Sequence, residues 1–548
     1  MGLCASIMLS YHGVSSLLVE KHPGTSPYPK ARALNARTME IFRQLGIEED
    51  IRRISLSPED SAYAVWVKTL ADGRELSRRK MIAAGPDESY DSLTPTPGCT
   101  SSQDALEPVL LNEARSKFAH SKPQFWFDME LVEMQQDSQN VTAVVVDLKL
   151  ERRRNISTKY VIGADGASSL VRELLGIRMV GSDIPGFTIN ILFRADLSPW
   201  VEGRSVNICI IRNPEAPEAR GVLAKLPTRN LWYFQASAGL APGHPSPTSE
   251  DYSPQWCKEI IRKAIGVSDL DVEFLRAAPW STSAKYAERY VQGRVFLAGD
   301  AAHLMPVTGG FAMNTGIQEV HNLTWKIAMV INGFAGSELL QSYATEMEPT
   351  GRWVVDEVFR NFKSLRLEEQ SRRNSTSATV LPSQPAVRPE YFNELGLIFG
   401  AKYESTAVIP DGSPQVQYSN PVIEYKPTAR PGNRAPHVWF TDGKTRVSTT
   451  DLLGPFMLLL TGAEGSAWLD AAKEIAKTIP PLRVHLVGRE GDLIDDRGSS
   501  WPGAFGIDSN GALLVRPDGY VAWRSRTKAN DCGKELLQAL NTILSIRS

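Results

Sequence analysis

The chain has 548 residues, with 60 Lys+Arg against 62 Asp+Glu, 42% hydrophobic and 22% charged residues. At a usual domain size of about 150 residues, that length predicts roughly three to four structural units with ample core. A formal net charge of -2 gives no global pull towards phosphate backbones, and basic runs such as Glu151-Arg152-Arg153-Arg154 read as solvated turns, so no nucleic acid partner is expected.

Five cysteines, at 4, 99, 209, 257 and 532, are too few and too widely spaced for a disulfide framework. Their odd count leaves a thiol free, which fits a reducing cytoplasm. No apolar run reaches the roughly 18 to 20 residues of a membrane-spanning helix, and the N-terminus lacks the basic leader and long apolar core of a secretory signal. A soluble, cytoplasmic protein without a metal site is the expectation.

Leu3, Ile7, Met8 and Tyr11 fall at helical spacing, which predicts a helix from about residue 2 to a cap near Gly13. Ser16 to Glu20 is a short apolar run ending in a carboxylate, followed by the turn pair Pro23-Gly24, and reads as a strand. In a dinucleotide-binding unit, an acid at the end of the second strand, about 20 residues after the glycine fingerprint, accepts hydrogen bonds from ribose hydroxyls. Glu20 has that position. The fingerprint itself is partial: GxGxxG needs a preceding strand and two further glycines, and only Gly2 with its helix is present. The expectation is a unit whose first strand is missing, against the plainer alternative of an ordinary helix and strand.

Further on, Tyr160 to Gly166 is an apolar strand running into an Asp165-Gly166 turn, and Ala167 to Arg172 opens a helix that continues through Leu174 and Leu175. Strand-like segments follow at Thr188 to Arg194, Ser205 to Ile211 and Asn230 to Gln235. Arg294 to His303 is a second buried strand that delivers Asp300 at its carboxyl end. It leads into Pro306-Val307-Thr308-Gly309-Gly310-Phe311-Ala312-Met313-Asn314-Thr315-Gly316, after which Ile317, Val320, Ile327 and Ile331 keep near-helical spacing until Gly333. Glycines at such a junction let backbone N–H groups approach a ligand, and a helix N-terminus adds partial positive charge. An electron-rich ligand edge belongs there.

Glu368 to Pro389 is charged and rich in Ser, Thr and Pro, and reads as an exposed linker or long loop. After Pro431-Gly432 a separate pattern begins: a strand at Phe456 to Thr461, a helix at Ala467 to Ile479, a strand at Arg483 to Val487, a hairpin of Ala512 to Arg516 and Tyr520 to Trp523 around Pro517-Asp518-Gly519, and a last helix at Lys534 to Leu544. That order resembles a thioredoxin-like domain. Its first turn, Thr461-Gly462-Ala463-Glu464, has no CxxC pair to supply a low-pKa thiolate.

The set DGxxSxVR from Asp165, GDAAH from Gly299 and PxTGGxxMNTG from Pro306 resembles the single-component flavoprotein aromatic hydroxylases with the para-hydroxybenzoate hydroxylase fold. Within them it is most similar to the polyketide and phenol hydroxylase branch with an added C-terminal domain. Arg32 to Glu40 and Ser102 to Pro108 match that branch as well. The resemblance implies a mixed α/β fold: a Rossmann-like FAD-binding domain (1–180 and 285–365, first strand missing) interleaved with a substrate-binding sheet domain (181–284, with part of 60–100), a linker or long loop (366–430) and a thioredoxin-like domain (431–548). It gives the last domain a structural or dimer-contact role, and hence implies a homodimer.

The resemblance also implies FAD as cofactor, NADPH or NADH as co-substrate, and insertion of one oxygen atom from O₂ into a phenolic or polyketide-type aromatic substrate through a flavin C4a-hydroperoxide. Gly2 would open the helix facing the pyrophosphate and Glu20 would hold the adenosine ribose. Arg32 and Gln103 would line the pyrophosphate and ribityl region, and Asp300 would bind a ribityl hydroxyl. Backbone N–H groups around Met313 and Asn314, after Gly309 and Gly310, would reach the flavin pyrimidine edge. Asp165 and Gly166 belong to the same cofactor-binding set, with a turn as the bland alternative. The family usually has Gly where Ala312 stands and often Pro at Val307; if position 312 needs a positive φ, alanine there costs about 1 kcal/mol. No catalytic base is assigned, since Arg32 stands where phenol hydroxylases carry an aspartate. Phe193, Trp232, Tyr233 and Phe234 are candidate cavity liners, with core packing the commoner fate of such residues.

Three rival readings accompany this one. Met1 to Ser6 fits the short N-myristoylation pattern, with Cys4 as a palmitoylation site. The chain without the first strand is an FAD-deficient, non-enzymatic homologue. The same cofactor serves Baeyer–Villiger oxidation, epoxidation or oxidase chemistry.

Overall fold

The protein is described by a computed structural model covering residues 1–81, 90–238, 252–374, 387–441, 443–477, 481–488, 493–495 and 500–546. Its first helix, α1 (Gly2–Tyr11), is built from small and apolar side chains and is enclosed accordingly, with Cys4 through Ser10 all buried. The buried Ser10 hydroxyl donates to Phe118 O, so no polar group is stranded there. Burial of Cys4 inside this packed helix leaves a palmitoyl chain no access. Gly13, at φ +78, ends the helix, and β1 (Leu17–Val19) follows. The Asn35 side chain accepts the Thr38 N–H at 3.0 Å and starts α2 (Ala36–Gln44), as an N-cap does.

The chain then leaves for a second sheet with β2 (Tyr63–Val67) and β3 (Glu75–Lys80). It returns through α3 (Gln103–Arg115), which packs beside α1, to β4 (Gln124–Trp126), the parallel partner of β1. An antiparallel meander of Met129–Gln136, Val141–Asp147 and Arg152–Thr158 leads to β5 (Val161–Gly163).

Next come β6 (Met179–Arg194), β7 (Val206–Ile211), β8 (Gly221–Lys225), β9 (Leu231–Ala238), α4 (Pro254–Ile265) and β10 (Glu273–Ala287). β11 (Val295–Leu297) goes back to pair in parallel with β5, and β12 (His303–Leu304) joins the edge of the large sheet. That sheet has eight strands in the order β12–β10–β6–β9–β8–β7–β2–β3, parallel only where β7 meets β2.

Alternation along these strands gives the sheet two different faces. On one, Ile189, Ile191, Phe193, Trp232, Phe234 and Ala236 pack with Cys257, Ile260, Ile261, Ala264 and Ile265 of α4. Ser253 caps α4 by accepting the Trp256 N–H at 3.1 Å, and Gly266, at φ +87, closes it. Each large side chain buried there contributes about 1.5–3 kcal/mol. On the other face Leu192, Ile208, Ala224 and Tyr233 cluster, and Ala64, Trp66 and Ile210 meet Tyr391 and Phe392. Of the four aromatic candidates, Phe193, Trp232 and Phe234 are therefore core, and Tyr233 alone lies on the opposite side.

α5 (Ala312–Ile331) and α6 (Gln341–Asn374) follow. Of the stretch 366–430, expected as a linker, the first residues continue α6, residues 375–386 lie outside the described ones, and the chain from 387 is packed: Val387, Tyr391 and Phe392 on the large sheet, Leu397 to Phe399 against α6. The C-terminal unit is built around β13 (Met457–Gly462), α7 (Ser466–Ile475), β14 (Leu482–Val487), β15 (Ala512–Val515), β16 (Val521–Ser525) and α8 (Cys532–Ile543). Its sheet order is β14–β13–β15–β16, and its core is shared with Trp325 and Met329 of α5. All five cysteines are buried and unpaired.

Buried charges weld this unit to the rest. Arg516 pairs with Glu346 and with Asp518, and Lys326 reaches Glu346 at 2.7 Å. Arg37 donates to Asp518 O at 2.6 Å and to Glu40 at 2.9 Å, and Arg434 also pairs with Glu40. The Arg37 and Glu40 of the Arg-Thr-Met-Glu stretch are thus docking residues for the C-terminal half.

Candidate active site

Three chain segments meet beside the N-terminus of α1. A methyl group on Gly316 would stand 2.6 Å from Met1 Sδ and 3.1 Å from Gly299 Cα, and one on Gly299 would stand 2.7 Å from Met1 Cγ. The start of α1, the turn after β11 and the first turn of α5 are therefore in direct contact. Gly299 adopts φ +64, and its N–H donates to Glu319 Oε2 at 2.8 Å. Asp300, next in the chain, is exposed and accepts no hydrogen bond from the described residues. It is free for a ligand.

Glu319 has a second partner: its Oε1 lies 2.9 Å from His303 Nε2, both side chains wholly buried. Burial alone would lower the His303 pKa, but the nearby Glu319 and Asp300 charges outweigh that and raise it. Sequence reasoning passed over this pair. The His at the end of GDAAH was its signal.

The loop before α5 is shaped by Gly309 at φ +95 and Gly310 at φ +69, and Gly310 packs so closely that a methyl would sit 3.0 Å from Ala33 Cβ. The 20-residue α5 starts at Ala312 with no side-chain cap. Its first N–H groups are consequently unpaired within the helix, and they carry the positive end of its dipole. Ala312 is helical and is not among the positive-φ residues, so the alanine that stands for the family's glycine carries no strain.

The Asn314 side chain is saturated. It accepts from Asn35 N at 2.9 Å and Thr38 Oγ1 at 2.7 Å, and donates to Ala33 O at 2.9 Å and Gly310 O at 2.7 Å. It ties the segment 33–38 to the glycine loop and leaves only its backbone N–H for a ligand.

The remaining expected residues separate into supports and contacts. Glu20 follows β1, where its N–H donates to Trp126 O and its carboxylate accepts the His22 N–H at 2.9 Å. Gly2 opens α1 above Leu18. Gln103 opens α3, and its Nε2 donates to Glu107 at 2.6 Å. Asp165 is spent on the Ser169 hydroxyl and, at 3.0 Å, the Val171 N–H, while Gly166 turns the chain at φ +84. Arg172, which closes the same motif, donates to Ala301 O at 3.0 Å, so the Asp165 motif braces the Asp300 turn from behind.

Arg32 is anchored on the large sheet. Its Nη2 donates to Asn207 Oδ1 at 2.9 Å and to Lys225 O, which puts the guanidinium on the large sheet. Asn207 in turn donates to Thr100 Oγ1 at 2.8 Å. Burial pushes the Arg32 pKa down to about 10, with the Tyr233 phenol acting in the opposite direction. Nothing in the local pattern announced a partner 175 positions away.

An elongated flavin dinucleotide suits these groups: glycines that let the three segments pack against one another, an unengaged carboxylate at Asp300, and an uncapped helix end. Tyr233, on the open face of the large sheet, lies near Arg32, one residue before the Ala33 that packs on Gly310.

Comparison with known proteins agrees. The FAD binding domain family matches residues 1–358 and the aromatic-ring hydroxylase C-terminal family matches residues 428–545. The chain is 36% identical to the tetracenomycin A2 monooxygenase-dioxygenase of Streptomyces glaucescens, over 99% of this chain and 95% of that protein. It is 32% identical to the 2,4-dichlorophenol 6-monooxygenase of Delftia acidovorans, over 100% of this chain and 96% of that protein. Among solved structures, the flavin-dependent monooxygenase PieE in complex with FAD and substrate superposes with a TM-score of 0.87 at 31% identity, covering 100% and 97% of the two chains. A ternary complex of aklavinone-11 hydroxylase with FAD and aklavinone gives 0.84 at 31% identity, covering 99% and 97%. The chain belongs to the FAD-dependent aromatic-ring hydroxylases of the polyketide and phenol branch.

Proposed function

We propose that this protein is an NAD(P)H-dependent flavoprotein monooxygenase that inserts one atom of O₂ into a phenolic or polyketide-type aromatic ring. The observation that carries the reading is the contact of the α1 N-terminus, the Gly299-Asp300 turn and the uncapped start of α5. In it, the α1 terminus takes the pyrophosphate, Glu20 the ribose and Asp300 a ribityl hydroxyl. The N–H groups at 312–314 receive the pyrimidine edge. Bound FAD supplies the redox chemistry, passing reducing equivalents from NAD(P)H to O₂. The chain's own contribution is fixed dipoles at the flavin edge, which stabilise negative charge without reorganising, and a wall of buried apolar side chains that keeps water from the reacting ring. Five buried, unpaired thiols suit a reducing, cytoplasmic setting.

The test is an absorbance spectrum of the purified protein with added FAD, then NADPH consumption and product mass with phenols and hydroxyanthraquinones. A yellow protein whose product gains one oxygen with its ring intact is expected. A protein that stays colourless, or a ring-expanded lactone product, would overturn the reading.

A further inference from the structure

We infer that Glu394 is a positioning residue for the cofactor: as a neutral, proton-bearing acid it holds the glycine loop in the form that grips FAD, and its ionisation loosens that grip. The inference rests on the reading of the loop before α5 as part of the flavin site.

Glu394 differs from the other buried acids of the described chain in having no cation beside it. Glu40, Glu48, Glu346, Glu357 and Asp518 each pair with an arginine, and Glu319 faces His303. Glu394 Oε1 meets only neutral donors, Phe392 N at 3.0 Å and Asn361 Nδ2 at 3.3 Å. The other end of that amide, Asn361 Oδ1, is sealed from solvent and has no donor. An acid hydroxyl on Glu394 is the donor this oxygen lacks, in the head-to-tail pairing of a carboxylic acid with an amide. A carboxylate has no proton to give and would leave the oxygen orphaned. Burial acts in the same direction, pushing the Glu394 pKa up to about 8.

The position ties this proton to the flavin site. A methyl group on Gly309, which adopts φ +95, would stand 3.5 Å from Glu394 Oε1. Thr308, one residue earlier, donates its hydroxyl to Val358 O at 2.9 Å, and Val358 lies one turn of α6 before Asn361. The loop is therefore seated on α6 twice, directly at Thr308 and through the Asn361–Glu394 pair at Gly309. The packing around this seat is apolar, with Met305, Phe311, Val358 and Leu397 in one cluster, and the loop from Pro306 to Phe311 carries no charge. The charged groups on the neighbouring elements are spent elsewhere. Arg79 of β3 donates to the carbonyls of Val387, Arg388 and Tyr391. Arg388 pairs with Glu357 and Glu390, and Arg360 of α6 with Glu357. Burial and the nearby Glu394 push the Tyr391 phenol pKa up, so it stays neutral. Ionised Glu394 thus finds no counter-ion at the seat, and it gains water only by parting from the loop.

The test follows FAD release from the holoenzyme, read as free-flavin fluorescence on dilution between about pH 6.5 and 9.5, for wild type, E394Q and E394A. The glutamine side chain keeps a donor for Asn361 and cannot ionise. Wild type should bind FAD about 10-fold more weakly at about pH 9 than at about pH 7. E394Q should match it at the lower pH and stay flat, and E394A should bind more weakly throughout. Infrared difference spectra of the wild-type holoenzyme across the same range, which depend on no variant, should show the loss of a protonated carboxyl. Wild-type binding that is flat with pH, absence of that carboxyl signal, alkaline weakening in E394Q equal to that of wild type, weak binding by a folded E394Q at neutral pH, or wild-type binding by E394A would each overturn the inference and leave the flavin site in place. A wild-type protein that takes up no FAD at any pH would instead remove the flavin reading, and the inference with it.

Discussion

Arg516 and Glu346 form a two-pronged ion pair, with Nη1–Oε1 2.6 Å and Nη2–Oε2 2.8 Å, between residues 170 positions apart. Both side chains are completely buried. The neighbouring cations hold the Glu346 carboxyl well below the usual range despite its burial, so the pair is charged. Removing Glu346 leaves two buried cations, Arg516 and Lys326, with Asp518 as the acid beside Arg516, and Glu346→Gln is expected to cost about 3–5 kcal/mol, read as a lowered urea midpoint. Replacing both, Arg516→Met with Glu346→Leu, should recover part of that loss. Equal destabilisation by the single and double variants would refute the coupling.

Asn314 makes four side-chain hydrogen bonds between two loops. Asn314→Ala leaves the Asn35 N–H and the Thr38 hydroxyl without an acceptor, each worth about 1–3 kcal/mol when buried. The expected outcome is a weaker grip on FAD, followed by recovery of free-flavin fluorescence on dilution, together with a lower melting temperature. Wild-type FAD retention in this variant would remove Asn314 from its positioning role.

Glu394 is a buried carboxyl that accepts from Phe392 N at 3.0 Å and Asn361 Nδ2 at 3.3 Å. Burial pushes its pKa from 4.5 up to about 8. The folded protein therefore keeps a proton that the unfolded chain releases. This contribution is fully present below pH 4.5, falls as pH rises, and is gone once pH passes about 8. Glu394→Gln cannot titrate, so the stability difference between wild type and variant should change across that window and level off above it. A difference that is flat with pH would refute the assignment.

Ala312 is the first residue of a helix, not a left-handed loop residue. Ala312→Gly is expected to destabilise by about 0.5–1 kcal/mol, with the flavin spectrum unchanged. A stabilising Ala312→Gly would mean the loop needs the freedom that alanine denies it.

Much of this architecture is written locally. The helix at Gly2–Tyr11, the strand ahead of Glu20, and the C-terminal strand, helix and hairpin order all follow from short-range periodicity and glycine placement. The glycine loop could be read for the same reason, because its φ values demand glycine. What could not be read depends on register between distant strands. Phe193, Trp232, Tyr233 and Phe234 look alike in sequence, and only the pairing of β6 with β9 sends Tyr233 to the open face. Beyond the short-range Arg37–Glu40 pair, Arg32 meets Asn207, Arg37 meets Asp518 and Glu40 meets Arg434, 175, 481 and 394 positions away, and a charged residue carries no mark of whom it will meet. The packed segment from 387 was also hidden, because the charged, Ser-, Thr- and Pro-rich stretch from Glu368 to Pro389 leads into it and reads as a solvated linker.

The two-faced sheet has a consequence for how such an enzyme diversifies. Because one set of alternate side chains is committed to the helix Pro254–Ile265, positions of the opposite face outside the contact with Tyr391 and Phe392 can be exchanged with that packing intact. New molecular shapes can then be accommodated by altering one set of alternate residues while the flavin apparatus and the stability of the domain are inherited unchanged.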